Sequence, residues 1–202
     1  MTVGMTSPMK RKIERSSLLS LEAYAQQRAE FRRKVIEHKR NRMVQLGAHV
    51  TLHFEDELTL RYQVQEMLRA ERTFEDSGIL NELDAYNPLV PDGCNFKATM
   101  MLEFPDPDER AVWLGKLIGV EDRVWLQVDG FEKVWAIADE DLDRETAEKT
   151  SAVHFLRFEL TQEMATRLKS GDSLDIGVDH SVYQSSILVS SSVRESLVND
   201  LA

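Results

Sequence analysis

Histidines, carboxylates and a lone thiol are the side chains of this sequence that could do chemistry. His154 stands in the alternating run 152–160, on the face that also carries Leu156, Phe158 and Leu160. Asp179 and His180 close a later alternating run through Leu174, Ile176 and Val178. A histidine beside a carboxylate is oriented by it and gains basicity, which metal binding and general-base chemistry both exploit. His154, Asp179 and His180 therefore form one candidate site, for a divalent metal or for proton transfer, if their two strands are neighbours. The alternative for His154 is a buried, hydrogen-bonded core histidine.

His49 and His53 are four residues apart, which on a strand puts both on one face, with Glu55 two positions further. That spacing resembles half of a zinc or iron site. It is not the HExxH pattern, because no glutamate follows His49, and the competing reading is a solvent-facing strand edge. Six acidic residues lie between Asp139 and Glu148, without the glycine and spacing of an EF-hand loop. Cys94 follows a Pro-Asp-Gly turn and has no neighbouring cation pair to activate it. As the single cysteine, it excludes an internal disulfide, a multi-cysteine zinc site and an iron–sulfur cluster held by this chain alone. Phosphate-binding loops, dinucleotide fingerprints and nucleophile elbows are absent from the sequence.

The elements that must position these residues follow from periodicity. Ser20 to about Arg42 predicts a long amphipathic helix with Leu21, Tyr24, Phe31 and Val35 on one stripe, and Gly47 ends that unit. His49 to Glu55 predicts a strand, with Val50, Leu52 and Phe54 facing one way. Glu57–Arg72 is read as a helix from its composition, and Ser77–Tyr86 as another. Asn87-Pro88 and Pro91-Asp92-Gly93 mark a loop. Beyond it, Thr99–Phe104 predicts a strand. Asp106, Pro107 and Glu109 then form a helix start for a segment that stops at Gly119. Val124–Val128, Asp129-Gly130 and Phe131–Ala138 predict a hairpin. Thr161 caps a short helix ending near Gly171, Ile187 and Val189 lie in a last strand, and Ser192 with Glu195 predicts a capping box for a final helix. The fold class is α+β, with N-terminal helices followed by an antiparallel or mixed β-sheet and covering helices. Residues 1–15 are read as a flexible tail and 16–202 as a single domain, helical to about residue 93 and strand-rich from 94.

Net charge is −10 but unevenly spread. Between Lys10 and Arg42 eleven basic residues face four acidic ones, an excess of seven, so the chain from Met43 onward carries −17. Such asymmetry favours a steered contact, with Arg32, Arg33, Lys34, Lys39 and Arg40 as its basic face, met by another chain or by the acidic surface of this one. Trp125 and Trp135 are core residues of the hairpin or anchors of the same contact. Nucleic acid is disfavoured, because the −17 body repels it and aromatic residues are not interleaved with the cations. No apolar run approaches the roughly 20 residues of a membrane span, and with no signal peptide the expected location is the cytoplasm.

Several strings together resemble a bacterial family known only as a domain of unknown function, DUF3501. They are Ser20-Leu21-Glu22 with Phe31-Arg32-Arg33, residues 63–72 (QVQEMLRAER), 86–93 (YNPLVPDG), 122–126 (DRVWL) and 150–160 (TSAVHFLRFEL). The similarity runs from about Lys12 to the C-terminus. It implies no catalytic residues. It does imply a setting among rubrerythrin-like di-iron proteins and iron–sulfur oxidoreductases, in oxidative-stress or electron-transfer systems, where a chain with one cysteine is a partner and not a carrier. The resulting expectation is a non-enzymatic accessory or protein–protein interaction protein, compatible with a homodimer. Its alternative is a small metal-binding protein or enzyme using His154, Asp179 and His180.

Overall fold

The computed structural model describes residues 12–140, 144, 146 and 148–202. Residues 1–11 of the expected tail and the acidic residues Asp141, Asp143 and Glu145 lie outside them. The α+β expectation holds. Helices α1 (Leu21–Lys39), α2 (Glu57–Glu71) and α3 (Asp76–Tyr86) surround strands β1 (Met43–Leu46) and β2 (Val50–Glu55) in chain order. Then come β3 (Asn95–Leu102), α4 (Pro107–Lys116), β4 (Val124–Val128), β5 (Val134–Trp135), β6 (Ile137–Ala138) and β7 (Val153–Glu159). Finally α5 (Gln162–Ser170), β8 (Leu174–His180), β9 (Tyr183–Leu188) and α6 (Ser191–Val198) complete the fold.

All strand pairs are antiparallel, in two sheets ordered β1-β2-β3-β7-β6 and β5-β4-β8-β9. The inner faces share one core, in which Leu52, Phe54, Phe96 and Met100 of the first sheet join Val124, Leu126, Ile176 and Val178 of the second. Leu114 of α4, Leu168 of α5 and Leu197 of α6 extend it. The helices α1–α3 lie on the outer face of the first sheet and keep an apolar cluster of their own, built on Leu60, Val64, Leu68, Ile79 and Leu83. Ile13 belongs to that cluster, is 2% exposed, and exchanges hydrogen bonds with Asn87 at 2.8 and 3.1 Å. The chain is therefore anchored from Ile13, two residues before the expected end of the tail.

Three expectations need correction. The segment after α1 is a strand, β1, where the sequence read only the end of a helical unit. The Asp129-Gly130 turn forms, with Gly130 at φ 79° and the Phe131 N–H donating to the Val128 carbonyl (3.0 Å). The expected return strand is split, however. Trp135 pairs with Trp125 in one sheet, while Ile137 pairs with Arg157 in the other. Residues 134–138 thus pass from sheet to sheet. Last, the cap of α6 is Ser190, whose hydroxyl accepts the Val193 N–H, and not Ser192.

Two packing details carry expected outcomes. On the outer face of the second sheet the Trp125 indole lies across Gly177, where a Cβ would fall 2.4 Å from Cζ2 and 2.9 Å from the Ser185 carbonyl oxygen. Gly177→Ala therefore forces the indole out of place and should cost about 1–3 kcal/mol, read as a melting-temperature drop of roughly 2–10 °C. Between α1 and α2, the buried Tyr24 hydroxyl donates to Glu66 Oε1 (2.6 Å) and Arg28 forks the same carboxylate (2.8 and 2.7 Å). The Arg28 bond, with help from Tyr24 and against partial burial, holds Glu66 down at about 2 from an ordinary 4.5. A depressed carboxyl contributes its stability fully above its unfolded value and loses it as pH falls through the folded one. Glu66→Gln should therefore remove part of the stability loss seen in acid titration between pH 4.5 and 2.

Candidate functional site

The outer face of the first sheet is where helices and strands leave room. Strand alternation puts Thr51, His53 and Glu55 of β2 on that face. In register beside them stand Met101, Thr99 and Lys97 of β3, then Val153, Phe155 and Arg157 of β7. Above these residues sit Leu60 and Gln63 of α2, Tyr86 at the end of α3 and the Pro88-Leu89 turn. A lobe of about 340 Å³ lies between, with Lys39 of α1 at its rim. Through Leu89 and Phe155 it meets a second lobe of about 240 Å³ that adds Pro88, Lys97, Glu140 and Arg157. A wider, more polar lobe of about 520 Å³ continues past Asp92, Asn95 and Glu159. The strings at 86–93 and 150–160 thus face each other across a cleft of adjoining lobes that share lining residues.

Its ionisable groups are held unequally. Glu55 is satisfied, taking the hydroxyls of Thr59 (2.6 Å) and Thr99 (2.8 Å). Arg157 forks Glu140 (2.7 and 2.8 Å) and also reaches Glu159. The Arg157 bond pulls Glu140 below the usual carboxylate range. His53 is half-buried, and burial pushes its imidazole below the ordinary value despite Glu55 beside it. Among the described residues nothing hydrogen-bonds its ring. Lys97 donates to the Pro88 carbonyl and pairs with no carboxylate among the described residues. Burial pushes its ammonium down, against Asp92 and together with Arg157.

The other sequence candidates fall apart into separate roles. His154 is fully buried and its partners are not Asp179 and His180, which lie in the opposite sheet. Its Nδ1 donates to Asp139 Oδ2 at 2.5 Å, and its Nε2 lies 2.9 Å from Thr150 Oγ1, 3.0 Å from the Ser151 carbonyl oxygen and 3.8 Å from Glu121 Oε2. His180 uses both nitrogens on backbone, Nε2 donating to Ile118 O (3.1 Å) and Nδ1 accepting from Val182 N–H (3.4 Å). Asp179 is exposed and accepts from Gln184 (3.0 Å). His49 stacks on Phe104 (4.2 Å between centroids) and donates from Nδ1 to Glu103 O (2.9 Å), so it does not join His53 in the cleft.

Glu121, Asp139 and His154 do bring one ligand-type atom each within 4.8 Å of one another. Asp139, however, is already heavily used. Besides His154, it accepts the Phe155 N–H (2.9 Å) and Arg144 Nε–H (3.0 Å), and the guanidinium itself opposes a second cation. The arrangement serves better as an internal hydrogen-bonded junction than as a three-ligand metal centre. Prolonged chelator treatment should therefore leave the melting temperature within about 2 °C of untreated protein; a larger fall would show a bound ion stabilising the fold.

The residues of the expected basic face divide, Lys39 standing at the cleft rim and the others lying on the surface. Arg32, Arg33 and Lys34 are exposed and make no ion pair among the described residues, whereas Arg40 pairs with Glu37 (3.0 Å). Asp139 and Glu140 are taken by His154, Arg144 and Arg157, so they do not dock α1. Trp125 is buried and Trp135 is 40% exposed. The Lys133 ammonium stands 4.0 Å from the first ring and 5.6 Å from the second. Sequence reasoning missed the cleft residues Lys97, Thr99 and Tyr86 and the charged cluster of His38, Asp56 and the buried Arg42 and Asp200. Only strand register, which no local pattern encodes, would have found them.

A two-sheet core with a helical layer over one outer face defines an α+β protein of antiparallel architecture. Residues 12–201 match the model of the family described as Protein of unknown function (DUF3501), and the chain belongs to that family. No curated protein matches it. Among solved structures it is similar to a novel protein of unknown function from Burkholderia pseudomallei K96243, at 52% identity over 95% of this chain and 100% of that one, with a TM-score of 0.90. No helix among the described residues is long and apolar enough to cross a membrane.

Proposed function

We propose that this protein is a non-catalytic accessory protein that takes a small molecule into the cleft between its helical layer and its first sheet. The observation that carries this reading is His53, an imidazole half-buried on the cleft floor with no hydrogen-bond partner among the described residues. A polar ring left open on the wall of a cavity of this size is the kind of hydrogen-bonding group that ligand sites present. Met101→Trp fills the same lobe from the floor. Native mass spectrometry of the protein from a bacterial cytoplasm should show a bound small molecule that the Met101→Trp protein lacks. Failure to retain any small molecule, together with no stabilisation by a metabolite panel, overturns the reading.

A second reading concerns the partner. Arg32, Arg33 and Lys34, exposed and without an ion pair among the described residues, favour an acidic protein surface, and the resemblance favours rubrerythrin-like or iron–sulfur oxidoreductase partners in an oxidative-stress system. Affinity capture at low salt should recover such a partner with wild type and lose it when these three residues are reversed to glutamate. Capture that survives the reversal removes α1 from the interface.

A further inference from the structure

Resting on the cleft as the ligand site, we propose that its ligand is a small carboxylate with an apolar or aromatic body, and that Lys97 holds the carboxylate. Lys97 and Arg157 stand directly opposite each other on β3 and β7. Like charges in that position are unfavourable unless neutralised. Arg157 is neutralised by Glu140 and Glu159. Lys97 has no ion pair among the described residues: Glu55, its neighbour on β2, is turned to Thr59 and Thr99, and the ammonium donates to the Pro88 carbonyl. A partly buried cation without a counter-ion is costly, and an incoming anion removes that cost.

The surroundings define the rest of the molecule. Beside Lys97, Pro88, Leu89 and Phe155 offer an apolar wall. Past Leu89 and Phe155 the cleft opens onto Leu60 and Met101, with the His53 ring as a neutral hydrogen-bonding group at the far end. An anionic head at Lys97 therefore places an apolar body over Phe155. Asp92, Glu140 and Glu159 all act on the Lys97 ammonium from nearby. Their negative field disfavours a phosphate dianion more than a singly charged carboxylate.

The probes are 4-phenylbutyrate and its neutral amide, titrated calorimetrically into the full chain, with amide-resonance mapping by NMR. Wild type should bind the acid about tenfold or more tighter than the amide, with shifts centred on residues 86–101 and 153–157. Lys97→Met keeps the apolar stem and should bring the acid down to the affinity of the amide while leaving the amide unchanged; Lys97→Arg should keep the preference. Equal binding of acid and amide by wild type, or a preference that survives Lys97→Met, overturns the assignment of Lys97. The cleft reading then still stands if Phe155→Ala weakens both probes. Absence of binding by either probe, or shifts mapping outside the cleft, overturns this inference and the cleft reading together.

Discussion

Arg42→Met should lower the unfolding free energy by about 3–5 kcal/mol, a melting-temperature fall of roughly 6–20 °C for a chain of this size. Arg42 is 1% exposed, and its fork spans three parts of the chain. Nε donates to the Phe54 carbonyl (3.0 Å), Nη1 to Ser196 O (3.2 Å), and Nη2 to Glu55 O (3.0 Å) and to Asp200. The arginine thus ties the end of β2 to α6 and the C-terminus. Methionine matches the stem but leaves three carbonyls and a buried carboxylate without this donor, and unmet buried acceptors cost more than the bonds gain. Lysine cannot reproduce a planar fork and should recover only part of the loss.

The same residue steadies α2. Its Nε lies 3.5 Å from Asp56, the N-cap of α2, which also accepts from the Thr59 N–H (2.9 Å) and meets His38 Nε2 at 2.5 Å. Burial works to raise the Asp56 carboxyl, but Arg42, the Thr59 N–H and His38 outweigh it and hold it below its ordinary value. The stability this contributes is complete above the unfolded value of 3.8 and disappears as pH falls through the folded one. In Arg42→Met the Asp56 carboxyl loses its main depressing charge, so this part of the acid limb of a stability–pH curve should flatten. A loss below about 1 kcal/mol with an unchanged acid limb would mean that water replaces the guanidinium and that the fork contributes little.

What the sequence made legible was local. Asp106, Pro107 and Glu109 predict a helix start because capping is decided within four residues, and the Asp106 carboxylate does accept the N–H groups of Asp108 and Glu109. Ser20 and Thr161 cap α1 and α5 for the same reason. β1 escaped notice because four residues directly after a long helix carry too little alternation, although Val44 and Leu46 do face the core. The face of His154 was correct, since period 2 fixes it. Its partner was not, because register and sheet order decide that. Asp139 reaches His154 only where β6 ends against β7, in a left-handed conformation (φ 47°) that no local pattern announced. The cleft is a product of the same long-range register, which lines up residues from β2, β3 and β7.

His154→Leu should be the second severe substitution, again at about 3–5 kcal/mol, since it removes the centre of a buried polar junction and leaves charged groups behind. His154 is 0% exposed, and the side chains of Asp139 and Glu121 around it are 10% and 7% exposed. Leucine supplies comparable volume, so cavity formation is not the cause. The cost arises because Asp139 loses its 2.5 Å donor while remaining tied to the Phe155 N–H and to Arg144, and because Thr150 Oγ1 and the Ser151 carbonyl lose the ring nitrogen facing them. Asp139→Asn separates charge from geometry. Asparagine tolerates positive φ and can still accept from the Phe155 N–H, so it weakens a charge-assisted bond without emptying the site. It should cost about 1–2 kcal/mol. Urea denaturation of the three proteins at neutral pH checks the order, with the denaturant slope unchanged if native and denatured ensembles are otherwise alike. Equal losses for His154→Leu and Asp139→Asn would place the whole effect in the Asp139 charge. A His154→Leu protein as stable as wild type would show that the junction is dispensable to the fold, and would reopen His154 as a residue kept for chemistry.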